Sequence, residues 1–200
     1  MTAHRGRADV VVLGLARGGV PVGWEIAAAL QAPLDVFLVR KLGVPGWPEL
    51  AMGAIASGGG LVVNDQLIRS LGISSEQLDA TIGRETDELR RREVAYRGGH
   101  PVVDLGGREV ILVDDGIATG ASMFAALQAV RASDPARVVV AVPVGPRSAY
   151  RRLRAETDEV VFAVMPDRFE AVAQVFADFH QITDDEVRAA LATPTVPSGP

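Results

Sequence analysis

Val110-Ile-Leu-Val-Asp-Asp-Gly-Ile-Ala-Thr-Gly-Ala-Ser122 decides how the rest of the chain is read. Four apolar residues run into two adjacent acids, Asp114 and Asp115, and a loop of small residues follows. The apolar run reads as a buried strand. Gly116, Ala118, Thr119, Gly120, Ala121 and Ser122 then lead into a helix. Small side chains let the backbone approach a bound group closely. Successive N–H groups at a helix start form an anion cradle, and Thr119 and Ser122 add hydroxyl donors. The two carboxylates stand one loop away, where they can accept hydrogen bonds from sugar hydroxyls or hold a hydrated cation. Acids for a diol beside amides for a phosphate suit a sugar phosphate. A plain strand–turn–helix with an Asp cap needs neither the second acid nor the Thr-Gly-Ala-Ser loop.

The flanking sequence repeats this alternation. Asp9-Val-Val-Val-Leu-Gly-Leu15 reads as a buried strand, Ala16–Val20 as a loop and Pro21 to about Gln31 as a helix. Strands are predicted over Leu34–Lys41, Glu109–Asp114, Arg137–Val142 and Glu159–Val164. Helices are predicted over Gly120–Ala132, Ala149–Ala155, Asp167–Asp178 and Thr183–Leu191. Such alternation implies an α/β fold, a mostly parallel central sheet flanked by helices. Residues 42–100 interrupt it as a flap or cap insertion. They read as a Gly/Pro loop (Leu42–Pro48), a hairpin (Glu49–Val63), a short helix (64–72) and a long charged helix, Ser74–Arg97. The thin apolar stripe of that helix, Leu78, Ile82, Leu89 and Tyr96, suggests a solvated edge. The expectation is one domain over residues 1–193 and a frayed Pro/Ser/Gly tail over 194–200.

Composition narrows the classes further. With 200 residues, 48% of them hydrophobic and 22% charged, the chain is not wholly disordered. It has no cysteine, which excludes a disulfide framework, a thiolate nucleophile and a cysteine metal site. A net charge of −5 argues against non-specific nucleic-acid binding. His4, His100 and His180 are too scattered to suggest a metal site. No signal-peptide or membrane-spanning stretch is visible, so a soluble cytoplasmic protein is expected, with no nucleic-acid or membrane partner.

In an open α/β sheet, ligands bind outside the C-terminal strand ends. Two further segments there carry chemistry. In Arg17-Gly18-Gly19 the glycines give access to backbone conformations closed to other residues, and Arg17 offers a fork for phosphate. Arg40-Lys41 places two cations where they can neutralise a leaving anion. Lys41 is the one lysine among 20 basic residues. A compact ammonium fits as a point charge where a second guanidinium would crowd the first.

Val110–Ser122 resembles the phosphoribosyl-pyrophosphate (PRPP) signature of type I phosphoribosyltransferases: four apolar residues, two acids, a short linker, then Thr-Gly. Over roughly residues 9–191 the chain resembles bacterial phosphoribosyltransferases of unassigned substrate. It shares Ala-Arg-Gly-Gly-Val-Pro (16–21), Val-Asp-Asp-Gly-Ile-Ala-Thr-Gly-Ala-Ser (113–122) and Ala-Val-Pro-Val-Gly (141–145). The resemblance implies that Asp114 and Asp115 hold the ribose hydroxyls and Mg²⁺. It implies that Ala118, Thr119, Gly120, Ala121 and Ser122 wrap the 5′-phosphate. Arg17, Gly18 and Gly19 would form a pyrophosphate loop, often with a non-proline cis peptide, and Arg40 and Lys41 would face the pyrophosphate. The implied reaction transfers phosphoribosyl from PRPP to a nitrogenous base, with a homodimer as the expected assembly. Members acting on 6-oxopurines carry an acid at the position of Ala118, so a hypoxanthine/guanine enzyme is disfavoured. Glu49 in the flap is the substitute acid/base, and Phe169, in Met165-Pro-Asp-Arg-Phe169, is a candidate to stack on the base. A non-catalytic PRPP or nucleotide sensor is the alternative. A phospho-acceptor receiver domain fits less well, because its acid pair would follow the first strand. Arg17, Arg40, Lys41 and the flap, which a sensor can lose, favour the enzyme.

Overall fold

The structure is a computed structural model and describes residues 4–195. Five strands form the central sheet: β1 (Val10–Leu15), β2 (Leu34–Phe37), β6 (Glu109–Val113), β7 (Arg137–Val144) and β8 (Glu159–Val164). Their order across it is β2-β1-β6-β7-β8, and every pairing is parallel. All residues of β1 and β6 are buried, as expected of central strands covered on both faces. The covering helices are α1 (Gly19–Leu30), α4 (Ala121–Arg131), α5 (Arg147–Glu156) and α6 (Asp184–Ala192). The expected α/β fold is therefore present. No described helix is long and apolar enough to cross a membrane.

The strand expected over Leu34–Lys41 is two strands in two sheets. β2 ends at Phe37, and β3 (Val39–Val44) opens a three-stranded antiparallel sheet with β4 (Trp47–Ala56) and β5 (Leu61–Val63). Leu38 is the break. Its N–H donates to Ser57 Oγ at 3.0 Å, and its carbonyl accepts from the Ser57 N–H at 2.9 Å. Ser57 thus takes the bonds that would have continued β2. The stretch Leu42–Pro48, expected as a loop, instead belongs mostly to a β3–β4 hairpin turning at Pro45-Gly46, where Gly46 has φ +80°.

Helices α2 (Asp65–Ser70) and α3 (Ser75–Arg97) follow. Ser74 and Gln77 close a capping box on α3, and Gly98 ends it in the left-handed region. The stripe read as a solvated edge is a packing face. Leu89 and Tyr96 are buried in a cluster with Val36, Leu42 and Met52, and Leu78 and Ile82 pack against it.

The other departures lie near the C-terminus. Over 167–178 only a 3-10 turn forms, Val172–Val175. The Gln174 side chain takes up backbone partners that a helix would have used: it accepts from Glu170 N–H and donates to the Arg168 carbonyl. At the start of the expected tail, Thr195 Oγ1 donates to the Ala32 carbonyl at 2.7 Å. The rest of that tail, 196–200, lies outside the described residues.

A buried ion pair ties the inserted segment to the central sheet. Arg97, at the end of α3, donates to Asp35 of β2 at 2.9 Å and to the Val36 carbonyl at 2.7 Å, with its side chain 4% exposed. Removing one partner strands the other charge in a dry setting. Arg97→Ala is expected to lower the unfolding free energy by about 3–5 kcal/mol, read from the midpoint of urea denaturation. A loss below about 1 kcal/mol would show that this pair does not hold the insertion in place.

Candidate active site

The ends of β1 and β6 lie side by side, and the loops that leave them touch. The Ala16–Arg17 peptide is cis. Gly18 follows in right-handed helical geometry and caps α1. Its value is therefore close approach and not an unusual φ, which corrects the reading of the Gly-Gly turn. A Cβ on Gly18 would lie 1.8 Å from Asp115 Oδ2. One on Gly19 would lie 2.4 Å from the Val113 carbonyl oxygen and 2.8 Å from the Asp114 Cα. At Gly19 the obstacle is backbone and no side chain fits, whereas at Gly18 one would displace the Asp115 carboxylate.

Beyond the acids, the loop is pinned and then left open. Ile117 is buried and its N–H donates to the Val144 carbonyl at 2.9 Å. Gly120, at φ +82°, turns the chain into α4. Ala118, Thr119, Ala121 and Ser122 are exposed. Among the described residues, the N–H groups of Ala118, Thr119 and Gly120 have no backbone acceptor. The first turn of α4 holds no acid to occupy its positive end.

The two carboxylates are short of partners. Both are half-buried, and no described cation lies within ion-pair distance of either. Asp114 Oδ1 accepts from the Asp115 N–H at 3.0 Å. Loss of water, then repulsion from Asp115, pushes the Asp114 carboxyl up to about 8. Burial also raises Asp115, partly offset by backbone N–H bonds from Gly116 and from its own residue.

Arg17 is half-buried, with Nη1 3.5 Å from Asp184 Oδ1. Arg40, Lys41 and Glu49 are placed elsewhere. They line a groove between the β3–β4 hairpin and α3, together with Thr81, Arg84 and Glu85. Arg40 is committed to Glu85, with Nε at 2.9 Å and Nη2 at 2.5 Å. Lys41 is exposed, inside β3 and not at the end of a central strand, and it has no described ionic partner. No hydrogen bond or ion pair joins this groove to the acid pair among the described residues. Phe169 is half-buried in the irregular chain after β8. That chain does reach the acid loop, since a Cβ on Gly116 would lie 2.6 Å from Val172 Cγ1.

Sequence reasoning missed Gly14, Val172, Arg84 and Asp184. Gly14 interrupts an otherwise apolar strand, and a Cβ there would meet the Val20 Cα at 2.7 Å. Glycine inside a strand can mark such a close approach, so that signal was available.

With this geometry in view, the comparisons identify the family. The sequence matches the Phosphoribosyl transferase domain over residues 2–180, and the chain belongs to that family. It is 50% identical over 182 residues to the "Putative phosphoribosyl transferase Rv0571c" of Mycobacterium tuberculosis, covering 91% of this chain and 41% of that protein. The chain thus spans about two-fifths of the length of this relative. It is 29% identical over 178 residues to the "Bifunctional protein PyrR" of a Roseiflexus species, covering 85% of this chain and 73% of that one. Among solved structures, TT1426 from Thermus thermophilus superposes with a TM-score of 0.79 at 47% identity, covering 93% of this chain and 88% of that one.

The raised Asp114 bears on stability. Its folded carboxyl binds a proton more tightly than the unfolded one, so rising pH removes stability between about 4 and about 8, and the cost is complete above that window. Asp114→Asn is expected to leave the melting temperature nearly unchanged at pH 4. Above pH 8 it is expected to raise it by on the order of 5 °C, as scanning calorimetry would report. Equal melting at both pH values would mean that Asp114 is not held in its protonated form.

Proposed function

We propose that the chain catalyses transfer of 5-phosphoribosyl from PRPP to a nitrogenous base, releasing pyrophosphate. The observation that carries this reading is the contact between the Gly18–Gly19 loop and the Asp114–Asp115 pair, with an open run of N–H groups, Ala118–Gly120, just beyond the pinned Ile117. A ribose diol supplies the donors the acids lack. The 5′-phosphate suits the N–H groups of Ala118–Ser122 and the hydroxyls of Thr119 and Ser122. Arg17 faces the pyrophosphate.

In the reaction, the bond from the anomeric carbon to the pyrophosphate oxygen breaks, and its electron pair leaves with pyrophosphate. A base nitrogen forms the new bond to that carbon, and its proton is released. The residues hold the ribose still, and the segment around Phe169 and Val172 offers the acceptor an apolar wall. Lys41 is assigned to the leaving pyrophosphate, Arg40 to anchoring the hairpin through Glu85, and Glu49 to the released proton. Lys41 and Glu49 act only if the tip of the β3–β4 hairpin, beyond the Arg40 anchor, closes over the acid loop, which would also exclude water.

Mg²⁺ fits the donor set: two adjacent carboxylates without an ionic partner, one pushed up to about 8, are hard oxygen ligands short of positive charge. Asp114 and Asp115 would hold it with phosphate oxygens and water. Bound there, it supplies charge neutralisation for the departing pyrophosphate.

Incubation with PRPP, Mg²⁺ and a panel of nucleobases should release pyrophosphate with at least one base. PRPP binding without base-dependent turnover would favour the sensor instead. The double variant Asp114→Asn, Asp115→Asn should abolish PRPP binding, and Lys41→Arg should lower turnover by about ten-fold or more. Binding near pH 7 should also release a proton as Asp114 ionises. Calorimetry in buffers of different ionisation enthalpy detects this, and buffer-independent heats would count against an ionised pair in the complex.

A further inference from the structure

Arg17 has one ionic partner among the described residues, and it comes from α6. Asp184 Oδ1 lies 3.5 Å from Arg17 Nη1 and also accepts a hydrogen bond from Tyr96 Oη at 2.7 Å. Tyr96 belongs to α3 and its ring is buried. Val187 of α6 is fully buried in the same cluster, with Ile182, Ala190 and Leu191 packed around it. The carboxylate is therefore carried by a docked helix and fixed by a buried phenol. The Tyr96 hydroxyl, and next the Arg17 charge, hold Asp184 below the ordinary carboxylate range. Burial, then the bond to Asp184, raises Tyr96, so the phenol keeps its proton.

The neighbouring acids of α6 are engaged otherwise. Asp185 pairs with Arg188, and Glu186 closes the capping box with Thr183 and binds His180 at 2.8 Å. Only Asp184 points to Arg17. It touches one edge of the guanidinium, and no described side chain hydrogen-bonds the rest of that five-donor fork. The family match ends at residue 180, whereas α6 begins at Asp184.

We propose that Asp184, held by Tyr96, is a positioning residue that presets Arg17 for the pyrophosphate group of the donor. This rests on the role given to Arg17 above. An arginine already held by one edge loses less freedom when its other donors engage an anion. The 3.5 Å contact is loose enough for the fork to keep those donors available.

Calorimetric titration of the full chain with PRPP and with inorganic pyrophosphate tests this. Asp184→Asn and Tyr96→Phe should each weaken binding about two- to five-fold, the range of a partly exposed ion pair. The double variant should be little weaker than Asp184→Asn alone, because both act through one contact. Asp185→Asn should bind as the wild type does. In an Arg17→Ala background, Asp184→Asn should change nothing further, a result that a merely structural role would not produce. Melting curves would establish that each variant is folded, and Tyr96→Phe keeps the buried ring. Unchanged or tighter binding by folded Asp184→Asn, or the same loss without Arg17, would overturn the inference while leaving the phosphoribosyl reading intact. A wild type that binds neither ligand would overturn both.

Discussion

Two strand ends of a parallel sheet lie about 4.8 Å apart, and a loop and a helix must leave each of them. Ordinary side chains at Gly18 and Gly19 would fill the gap between the β1 exit and the β6 exit, and one at Gly14 would push the start of α1 off β1. A Cβ at any of them would fall within 3 Å of a neighbouring heavy atom. Their absence seats the start of α1 against the Asp114 backbone and the Asp115 carboxylate. Much of the site follows from that contact: where Arg17 emerges, and why the acids lie against glycine backbone and not against a side chain.

The same contact sets the electrostatics. Close backbone packing removes water from Asp114 without bringing in a cation, and the adjacent Asp115 adds repulsion. Elsewhere the chain compensates buried charge with care. Asp35 has Arg97, and Glu109, 2% exposed, has Arg7 and Arg137. The acid pair is the exception. An uncompensated pair costs stability, and under the proposed function a ligand bringing hydroxyls or a cation would remove that cost.

The central sheet was legible because its strands are unbroken apolar runs and its loops carry glycine at the exits. The acid pair and the open loop of small residues after it were legible for the same reason, since both lie within one short run, Val110–Ser122. What the sequence concealed depends on distant partners. Leu34–Lys41 reads as one strand because nothing local marks Leu38, and the break is made by Ser57, well downstream in the chain. The stripe on α3 is too thin to reveal its burial, which depends on β3 and β4 arriving on that side. Asp184 stood in plain view among three acids at a helix start, where dipole compensation is a sufficient local explanation. Its contact with Arg17 crosses most of the chain.

Arg40 and Lys41 show how two adjacent cations divide their work. The guanidinium of Arg40 uses Nε and Nη2 to grip a single carboxylate oxygen of Glu85, and so fixes β3 to α3. Such a grip needs two N–H donors on one rigid fork, which an ammonium lacks. Lys41, one residue on, is exposed and free of any described carboxylate. An arginine there would bring a second fork beside Glu85 and Glu49 in the same groove, and the pull of either acid would compete with an incoming anion. An ammonium is more strongly hydrated, has no planar match to a carboxylate and forms weaker directional pairs. In a chain that otherwise uses arginine throughout, lysine at position 41 keeps one positive charge uncommitted on the hairpin.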